Sequence, residues 1–280
     1  MTENESFFQI YRLSDRDFEL ISHLVYDTVG IYLPPEKKIL VESRLQQLLK
    51  QENIQSFDEL YQRIVRDPNS PLLSDLINRL TTNHTYFMRE SAHYDYMVQV
   101  LFPQWKTMKQ RDIRIWSAGC SSGEEIYTIA ILIREHFSPF IPDEWGLLGT
   151  DISLRVLTQA EEGKYLADRL ENLDPSLIQR YFIPIDDTSY QLLPEIRSMV
   201  LFKRFNLMNE TYPFKGKFDI IWCRNVLIYF DQAHKDFIIS HLVNVLKPGG
   251  YLFVGHSETI EREKYQLTFI QPAIYQKEAL

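Results

Sequence analysis

Cysteine is nearly absent from this chain, since its 280 residues include only Cys120 and Cys223. Two thiols are too few for a disulfide framework or for a four-ligand zinc site, so we expect both to stay reduced. Cys223 ends an apolar run and is interpreted as a small buried hydrophobe rather than a reactive thiol. His84 is expected to satisfy a local hydrogen bond, because no second histidine or cysteine stands at ligand spacing from it. The sequence predicts no metal site.

An excess of positive charge and long apolar stretches are also lacking. With 30 Lys and Arg against 38 Asp and Glu, the formal net charge is −8. This charge disfavours a general nucleic-acid binder, because such proteins usually present a basic face. No stretch approaches the ~18 uninterrupted apolar residues of a membrane-spanning helix, and residues 1–10 lack the basic and then apolar pattern of a signal peptide. We therefore expect a cytoplasmic protein without nucleic-acid partners or membrane insertion.

The N-terminal part of the chain has a helical pattern. Apolar residues recur at helical spacing through residues 14–80, which predicts an all-helical domain over residues 1–82. Pro34-Pro35 separates the first two helices, and two shorter helices are expected at residues 57–66 and 72–80.

Strands and helices then alternate, which predicts a parallel sheet in an α/β domain spanning residues 83–280. The segments expected as strands are residues 112–117, 146–150, 218–223 and 251–254, and those expected as helices are residues 124–135, 154–162 and 232–246. Residues 247–250, with the sequence KPGG, are expected as a turn, and residues 268–276 as one last strand. An alternating stretch at about residues 180–204 predicts a small inserted antiparallel β-subdomain.

Glycine is scarce, yet Gly119 and Gly123 lie in a turn between an apolar strand and a helix start, as expected beside a nucleotide-like cofactor. They do not complete the G-x-G-x-x-G pattern, and without further support a plain strand, turn and helix is the better interpretation. Glu124 and Glu125 open the helix, and two carboxylates there would repel a pyrophosphate. S-adenosylmethionine suits them better, because it has an ammonium, a sulfonium and a ribose diol.

Other polar side chains follow predicted strands, at the edge where open α/β sheets bind ligands. Asp151 is suited both to accept hydrogen bonds from a ribose diol and to cap the next helix, and the sequence favours neither. Arg224, Asn225 and Tyr229 follow another hydrophobic strand. Asn225 is expected either to bind the cofactor or to stabilise a turn. Tyr229 is expected either to line the path of the transferred group or to pack in the core. For this residue taken alone, core packing is the favoured interpretation.

Two shorter blocks complete the set of motifs. Residues 81–90, TTNHTYFMRE, carry hydrogen-bonding and aromatic side chains, but taken alone they are typical of an interdomain linker. Residues 255–258, GHSE, place Ser257 beside His256 but lack the context of a nucleophile elbow, so a hydrolase is disfavoured.

In order along the chain, the motifs TTNHTYFMRE, WSAGCSSGEE, GTDIS, FNL, FDIIWCRNVLIYFD and LKPGGYLFVGHSE resemble those of chemotaxis receptor methyltransferases of the CheR type. The resemblance implies an all-helical N-terminal domain and a Rossmann-like, S-adenosylmethionine-binding α/β domain with a small β-subdomain. It implies O-methylation of receptor glutamates for sensory adaptation, with S-adenosylhomocysteine as the second product. The implied partner of this monomeric enzyme is the cytoplasmic helical domain of chemotaxis receptors.

The resemblance also assigns individual residues. The positions that match the family's cofactor-binding residues are Asn83, Thr85, Arg89, Glu125, Asp151, Asn206, Leu207, Arg224 and Asn225. Arg89 and Tyr229 match residues near the reacting methyl group. Family members dock on receptor helices through a strongly basic second helix, and the basic residues at matching positions here include Lys37, Lys38 and Arg44.

The chain departs from the family in two places. Gln46 and Gln47 fill positions that are often basic, which indicates weaker or different docking. The family's β-subdomain can bind a receptor's C-terminal peptide through a glycine-containing loop. The corresponding turn, IDDTSYQ at residues 185–191, has no glycine and two acidic residues, so we predict no peptide tethering.

Two other functions fit the same motifs. One is a methyltransferase that modifies a small molecule or RNA, because fold does not determine substrate. The acidic charge counts against RNA. The other is a non-catalytic module that binds S-adenosylmethionine, and the retention of Arg89, Asn225 and Tyr229 counts against it.

Overall fold

The computed structural model describes residues 10–68, 70–81, 83–139, 141–142 and 144–279. Residues 1–9, in which the sequence shows no signal-peptide pattern, lie outside the described residues, as does Thr82 of the TTNHTYFMRE block. The chain divides into two compact units between Thr82 and Asn83, and each unit is described by itself.

The first unit is helical, as the apolar spacing predicts. Its α-helices are α1 (Asp15–Val29), α2 (Lys38–Gln51), α3 (Phe57–Arg66) and α4 (Pro71–Leu80). The Ser14 hydroxyl oxygen accepts the Asp17 N–H at 3.0 Å and so caps α1, and Gly30 ends this helix with a φ of 75°. The expected break at Pro34-Pro35 is confirmed. The core of the unit contains fully buried aliphatic side chains, among them Ile21, Val25, Val41, Leu45, Leu49, Leu60 and Leu76.

The second unit combines helices and strands. Its strands are β1 (Arg114–Ala118), β2 (Gly146–Asp151), β3 (Lys164–Leu166), β4 (Phe182–Pro184), β5 (Ser189–Leu192), β6 (Val200–Arg204), β7 (Phe218–Cys223), β8 (Leu246–Val254), β9 (Leu267–Gln271) and β10 (Ile274–Lys277). Its α-helices are α5 (Ala92–Tyr96), α6 (Phe102–Met108), α7 (Glu124–Phe137), α8 (Leu154–Glu162), α9 (Pro175–Tyr181), α10 (Pro194–Arg197) and α11 (Gln232–Val245). A π-helical stretch, Met97–Leu101, joins α5 to α6.

Within the described residues, a seven-stranded sheet has the order β6-β2-β1-β7-β8-β10-β9. The first five strands in this order run parallel, and β10 runs antiparallel to both of its neighbours. The chain leaves β1 in one direction through β2 to β6, and it builds the other side from β7 to β8. The strand order therefore reverses between β1 and β7, and ligands of open α/β sheets bind outside the carboxyl ends of the strands at such a point.

The central strands have buried apolar side chains on both faces. Every residue of β7 is buried, and Trp116 of β1 and Trp222 of β7 are among the largest fully buried side chains. Strands covered by helices on both faces have continuous apolar sequences of this kind. None of the helices in the described ranges combines the length and the apolar content that crossing a membrane requires.

The antiparallel insertion differs from the expectation. A three-stranded antiparallel sheet forms, but its order is β3-β5-β4, so it recruits residues 164–166 from upstream of the expected segment. Residues 200–204 instead form β6, which pairs in parallel with β2 in the main sheet. Alternation along one segment reports a half-buried strand but not its partner, which is why sequence reasoning placed β6 in the wrong sheet.

The last part of the sheet also differs from the expectation. The KPGG sequence is not a separate turn, because β8 runs through it, and the β7–β8 register shifts there. Gly249 has a φ of 74°, and a Cβ on Gly250 would lie 3.0 Å from the Asp219 carbonyl oxygen. The glycines therefore allow a bulge and a close backbone approach inside the strand. Residues 268–276 are not one strand, since they contribute to the antiparallel hairpin of β9 and β10.

Candidate active site

The turn after β1 is fixed to the end of β2. The backbone N–H groups of Gly119 and Cys120 each donate to the Thr150 carbonyl oxygen at 2.8 Å. Gly119 has a φ of 84°, and a Cβ at this position would lie 2.4 Å from Cγ2 of Val226. Only glycine fits this backbone conformation and this close approach, so the turn requires glycine at position 119 for a steric reason.

Asp151 ends β2 beside this turn and is buried. Its Oδ2 accepts the Ser121 N–H at 2.9 Å, and its Oδ1 accepts the Ser153 N–H at 2.9 Å. Ser153, whose Oγ accepts the Val156 N–H, is the N-cap of α8. The helix-cap alternative for Asp151 is therefore wrong. Burial raises the pKa of the Asp151 carboxyl, and the backbone N–H donors oppose that shift.

Residues 83–90 of the TTNHTYFMRE block are part of the second unit rather than a plain linker. The Ser121 hydroxyl donates to the Asn83 carbonyl oxygen at 3.2 Å. The Thr85 carbonyl oxygen accepts from the Arg169 guanidinium, and the Phe87 N–H donates to the Arg169 carbonyl oxygen at 3.1 Å. Phe87 is fully buried. These contacts hold the block against the turn after β1 and against the loop after β3.

Arg224, directly after β7, lies at the centre of a buried ionic network. Its guanidinium nitrogens lie 3.4 Å from Oε2 of Glu125 and 3.3 Å from Oε2 of Glu90. Nη2 donates to the Arg89 carbonyl oxygen at 2.5 Å, and Nη1 donates to the Tyr94 hydroxyl at 3.4 Å. The network joins β7, the start of α7 and residues 89–94.

The two acidic residues at the start of α7 have different surroundings. Glu125 accepts from the Ser117 hydroxyl at 2.7 Å and faces Arg224. Burial raises the pKa of Glu125, while Arg224 opposes the shift. Glu124 is almost fully buried, and its oxygens accept from the Ser122 hydroxyl at 2.7 and 3.0 Å. Of the two carboxylates at the start of α7, only that of Glu125 belongs to the network around Arg224.

Asn225 follows Arg224 with a φ of 58°, a conformation that asparagine tolerates better than most residues. Its side-chain amide donates to Oε1 of Glu90 at 3.3 Å. The buried Glu258 holds its loop, because Oε2 accepts the N–H of Asn225 at 2.9 Å and that of Gly255 at 2.6 Å, and Oε1 accepts the Ile228 N–H at 3.3 Å. Asn225 therefore both adopts the turn conformation and places its side-chain amide beside Glu90.

Four other predicted site residues surround this edge. The Phe205 N–H donates to the Asp151 carbonyl oxygen at 3.0 Å, which sets the adjacent Asn206 and the buried Leu207 near the end of β2. Arg89 donates to the His84 carbonyl oxygen at 2.8 Å. Tyr229 is half-buried, ends a short 3₁₀ turn and packs against a hydrophobic cluster of the second unit.

Two family models match this chain, one over each of its two units. A family model described as "CheR methyltransferase, all-alpha domain" matches residues 16–81, and "CheR methyltransferase, SAM binding domain" matches residues 83–275. The chain is 39% identical to the chemotaxis protein methyltransferase of Borreliella burgdorferi, over 99% of this chain and 100% of the relative. It is 35% identical to the chemotaxis protein methyltransferase of Escherichia coli, over 94% of this chain and 91% of that protein.

The chain belongs to the CheR methyltransferase family. Its cofactor is S-adenosylmethionine, for which the matched domain is named. The residues of this CheR-family protein fit that cofactor, because the carboxylates of the buried Asp151 and the largely buried Glu125 are able to accept hydrogen bonds from hydroxyl and ammonium groups.

Several residues of the CheR-family site received no role from the sequence, although Glu90, Ser121 and Glu258 lie within the quoted motifs. Glu90 and Glu258 act through contacts with residues far away in the chain, so no local pattern reveals their role. The side chains of Ser121 and Arg169 donate hydrogen bonds to backbone carbonyl oxygens of the TTNHTYFMRE block. The GHSE block did single out residues 255–258, but as a poor hydrolase candidate rather than as the support for Asn225.

The expected docking residues lie in the helical unit. Nζ of Lys38 contacts Oδ1 of Asp15 at 2.5 Å, and Nη1 of Arg44 donates to the Leu80 carbonyl oxygen at 2.8 Å. Lys37 is half-buried at the start of α2. Two of the three cations therefore already have partners inside the unit.

Proposed function

We propose that this CheR-family protein methylates glutamate side chains of methyl-accepting chemotaxis receptors and produces glutamyl methyl esters. The observation that carries the proposal is the network of Arg224, Glu125 and Glu90 at the switch point of the sheet, with Arg89 and Asp151 beside it. The residues proposed to hold S-adenosylmethionine are Asn83, Thr85, Arg89, Glu125, Asp151, Asn206, Leu207, Arg224 and Asn225.

The chemistry requires positioning rather than proton transfer. When bound, S-adenosylmethionine supplies an electrophilic methyl group on a sulfonium. A glutamate side chain has an ordinary pKa of about 4.3, so it is already an anion at neutral pH and needs no general base. The protein's task is to align the carboxylate and to exclude water, which is catalysis by proximity.

Arg89 is proposed to orient the substrate carboxylate. Its guanidinium is half-buried, donates to the His84 carbonyl oxygen and lies 5.9 Å from the ring centroid of Tyr86. One hydrogen bond leaves other N–H donors of the planar group available for a carboxylate. Tyr229 is proposed to line the path of the methyl group.

Receptor docking is proposed to use α2. Lys37, Lys38 and Arg44 supply positive charge there, and Ile39 is the most exposed large apolar side chain in the described residues, at 81%. The partner is proposed to be the helical cytoplasmic domain of a receptor, whose surface is suited to an amphipathic helix. Because Lys38 and Arg44 already have partners within the unit, this docking is proposed to be weaker than in relatives with a more basic helix.

The small β-sheet is proposed not to tether a receptor peptide. In its β4–β5 loop the Asp186 carboxylate accepts from the N–H and hydroxyl of Thr188 at 2.8 and 2.9 Å and from the Ser189 hydroxyl at 2.5 Å. These donors lower the pKa of Asp186 to about 2, so the loop is anionic at neutral pH. A loop that satisfies its own donors and repels a carboxylate supports the absence of tethering. The protein is further proposed to act as a cytoplasmic monomer.

The test uses methyl-labelled S-adenosylmethionine and a receptor cytoplasmic fragment. Label that moves to the fragment and leaves as methanol in mild alkali supports carboxyl methylation, since esters hydrolyse and methylamines do not. Label that resists alkali contradicts the proposed chemistry. A failure to transfer label, while S-adenosylmethionine binding is measured in the same preparation, contradicts the proposed substrate.

A further inference from the structure

Three potential metal ligands from distant parts of the chain lie close together, and one of them contacts the side-chain amide of Asn225. They are Glu90, His93 at the start of α5, and His256 in the loop after β8, and one ligand atom from each lies within 4.8 Å of the others. Oε2 of Glu90 and Nδ1 of His93 are 3.6 Å apart. The imidazole rings of His93 and His256 pack edge to face, with a centroid distance of 4.9 Å and an interplanar angle of 80°.

Two of these groups are buried without a hydrogen-bond partner in the described residues. The His93 side chain is 1% exposed, and neither of its ring nitrogens has such a partner. Oε2 of Glu90 is buried without a hydrogen bond, although the Arg224 guanidinium forms an ion pair with it at 3.3 Å. Buried polar atoms are nearly always satisfied, so the two unpaired His93 nitrogens beside this carboxylate point to a ligand.

The local charge allows a cation. Arg224 forms ion pairs with two carboxylates, Glu90 and Glu125, so one guanidinium stands against two acidic groups. An imidazole binds metal through a ring nitrogen, and neither ring nitrogen of His93 has a hydrogen-bond partner in the described residues.

We propose that Glu90, His93 and His256 bind a divalent transition-metal ion, for which zinc is the best match. Two histidines and one carboxylate form a common three-ligand zinc set with an open fourth position. Ligand atoms in a tetrahedral zinc site stand about 3.4 Å apart, given zinc–ligand distances of about 2.1 Å. The 3.6 Å between Glu90 and His93 already matches this spacing. His256 is exposed, so its side chain has room to close the remaining distance and gives the ion a route from solvent.

The site is tested with zinc alone, on the full chain after removal of metals with a chelator. Calorimetric titration should detect one zinc ion per chain, and zinc should raise the unfolding temperature. The His256→Ala variant removes an exposed ligand without disturbing the core and should bind zinc at least ten times more weakly. His23→Ala, which removes an exposed histidine from α1, is the matched control and should bind zinc like the wild type.

A second variant keeps the result interpretable. Glu90→Gln removes the carboxylate charge but keeps the side-chain shape, so it should also weaken zinc binding at least tenfold. Cobalt serves as an independent probe, because its visible spectrum reports nitrogen and oxygen ligation, and His256→Ala should lose that spectrum. The proposal is overturned if the wild type binds no zinc, or if both variants bind it as tightly as the wild type does.

Discussion

The carboxylate of Glu258 accepts the backbone N–H of Asn225 at 2.9 Å, and with the same side chain it accepts the N–H groups of Gly255 and Ile228. One buried acidic residue thus joins the loop after β8 to the loop after β7. Asn225 has a φ of 58°, and these hydrogen bonds stabilise that conformation. Glu258 therefore positions a residue that is proposed to bind the cofactor.

Replacing this carboxylate should loosen the loop. Glu258→Ala removes the acceptor of three backbone N–H groups, so we expect a loss of about 2–3 kcal/mol in the free energy of unfolding. S-adenosylmethionine should bind at least tenfold more weakly, because Asn225 loses its support. Urea unfolding and calorimetry measure the two effects. Glu263→Ala, at a side chain that is 91% exposed, is the control and should change neither quantity.

Arg89 should affect turnover more than cofactor binding. If it orients the substrate carboxylate, Arg89→Ala should lower kcat about 100-fold or more, because a charge-assisted hydrogen bond to the reacting group is lost. S-adenosylmethionine binding should be partly retained, and Arg89→Lys should recover part of the activity. The exposed Arg111 provides the control substitution to alanine. Unchanged turnover in Arg89→Ala would remove this residue from the mechanism.

Glu125 should make stability depend on pH. Burial raises the pKa of its carboxyl in the folded state, so between the ordinary and the raised pKa the folded protein binds more protons than the unfolded chain. The contribution of Glu125 to stability is then complete below its ordinary pKa and falls as pH rises through the raised value. Glu125→Gln lacks this titration, and the Ser117 hydroxyl is able to reverse its hydrogen bond to suit the amide.

The comparison requires urea unfolding of both proteins between pH 4 and pH 8, a range that spans the ordinary carboxyl pKa. The stability of the wild type relative to Glu125→Gln should decrease as pH rises, and the variant should bind S-adenosylmethionine more weakly at neutral pH. All four tryptophans, Trp105, Trp116, Trp145 and Trp222, lie in the second unit, so their fluorescence reports on the unit in question. A difference that grows with pH would contradict the assigned direction.

Gly119 should not tolerate a side chain. Its φ of 84° and the 2.4 Å between a built Cβ and Cγ2 of Val226 predict a loss of about 2–4 kcal/mol for Gly119→Ala. Gly146→Ala is the matched control, since nothing lies within 4 Å of a Cβ there, and it should stay within about 0.5 kcal/mol of the wild type. Adding Val226→Ala to Gly119→Ala should recover part of the loss. Equal stability of the two glycine variants would show that the turn is not sterically restricted.

The sequence predicts the centre of the fold better than its edges. β7 and α8 have the expected bounds, because a strand buried on both faces and an amphipathic helix each have a clear local pattern. At the edge of the sheet, β6 has alternating exposure, and its local sequence does not show whether it pairs with β2 or within an antiparallel insertion. The bulge in β8 is decided by the close approach of Gly250 to another strand, which no local pattern contains.

The same limit applies to the site. Asp151, Arg224 and Asn225 could be proposed from sequence because each follows an apolar strand at the ligand-binding edge. Glu90 and Glu258 could not, because their importance comes from contacts with Arg224 and Asn225 that only the folded chain creates. The helix-cap alternative for Asp151 was settled by Ser153, whose side chain takes that role.

The central claim is that glutamate carboxylates of a receptor are the methyl acceptors. Mass spectrometry of a receptor cytoplasmic fragment after incubation with the protein and S-adenosylmethionine tests this most directly. The account predicts mass increments of one methylene group, located on glutamate side chains and absent from a fragment in which those glutamates are replaced by glutamine. Methylation located on lysine, arginine or the backbone, or a fragment of unchanged mass, would contradict it.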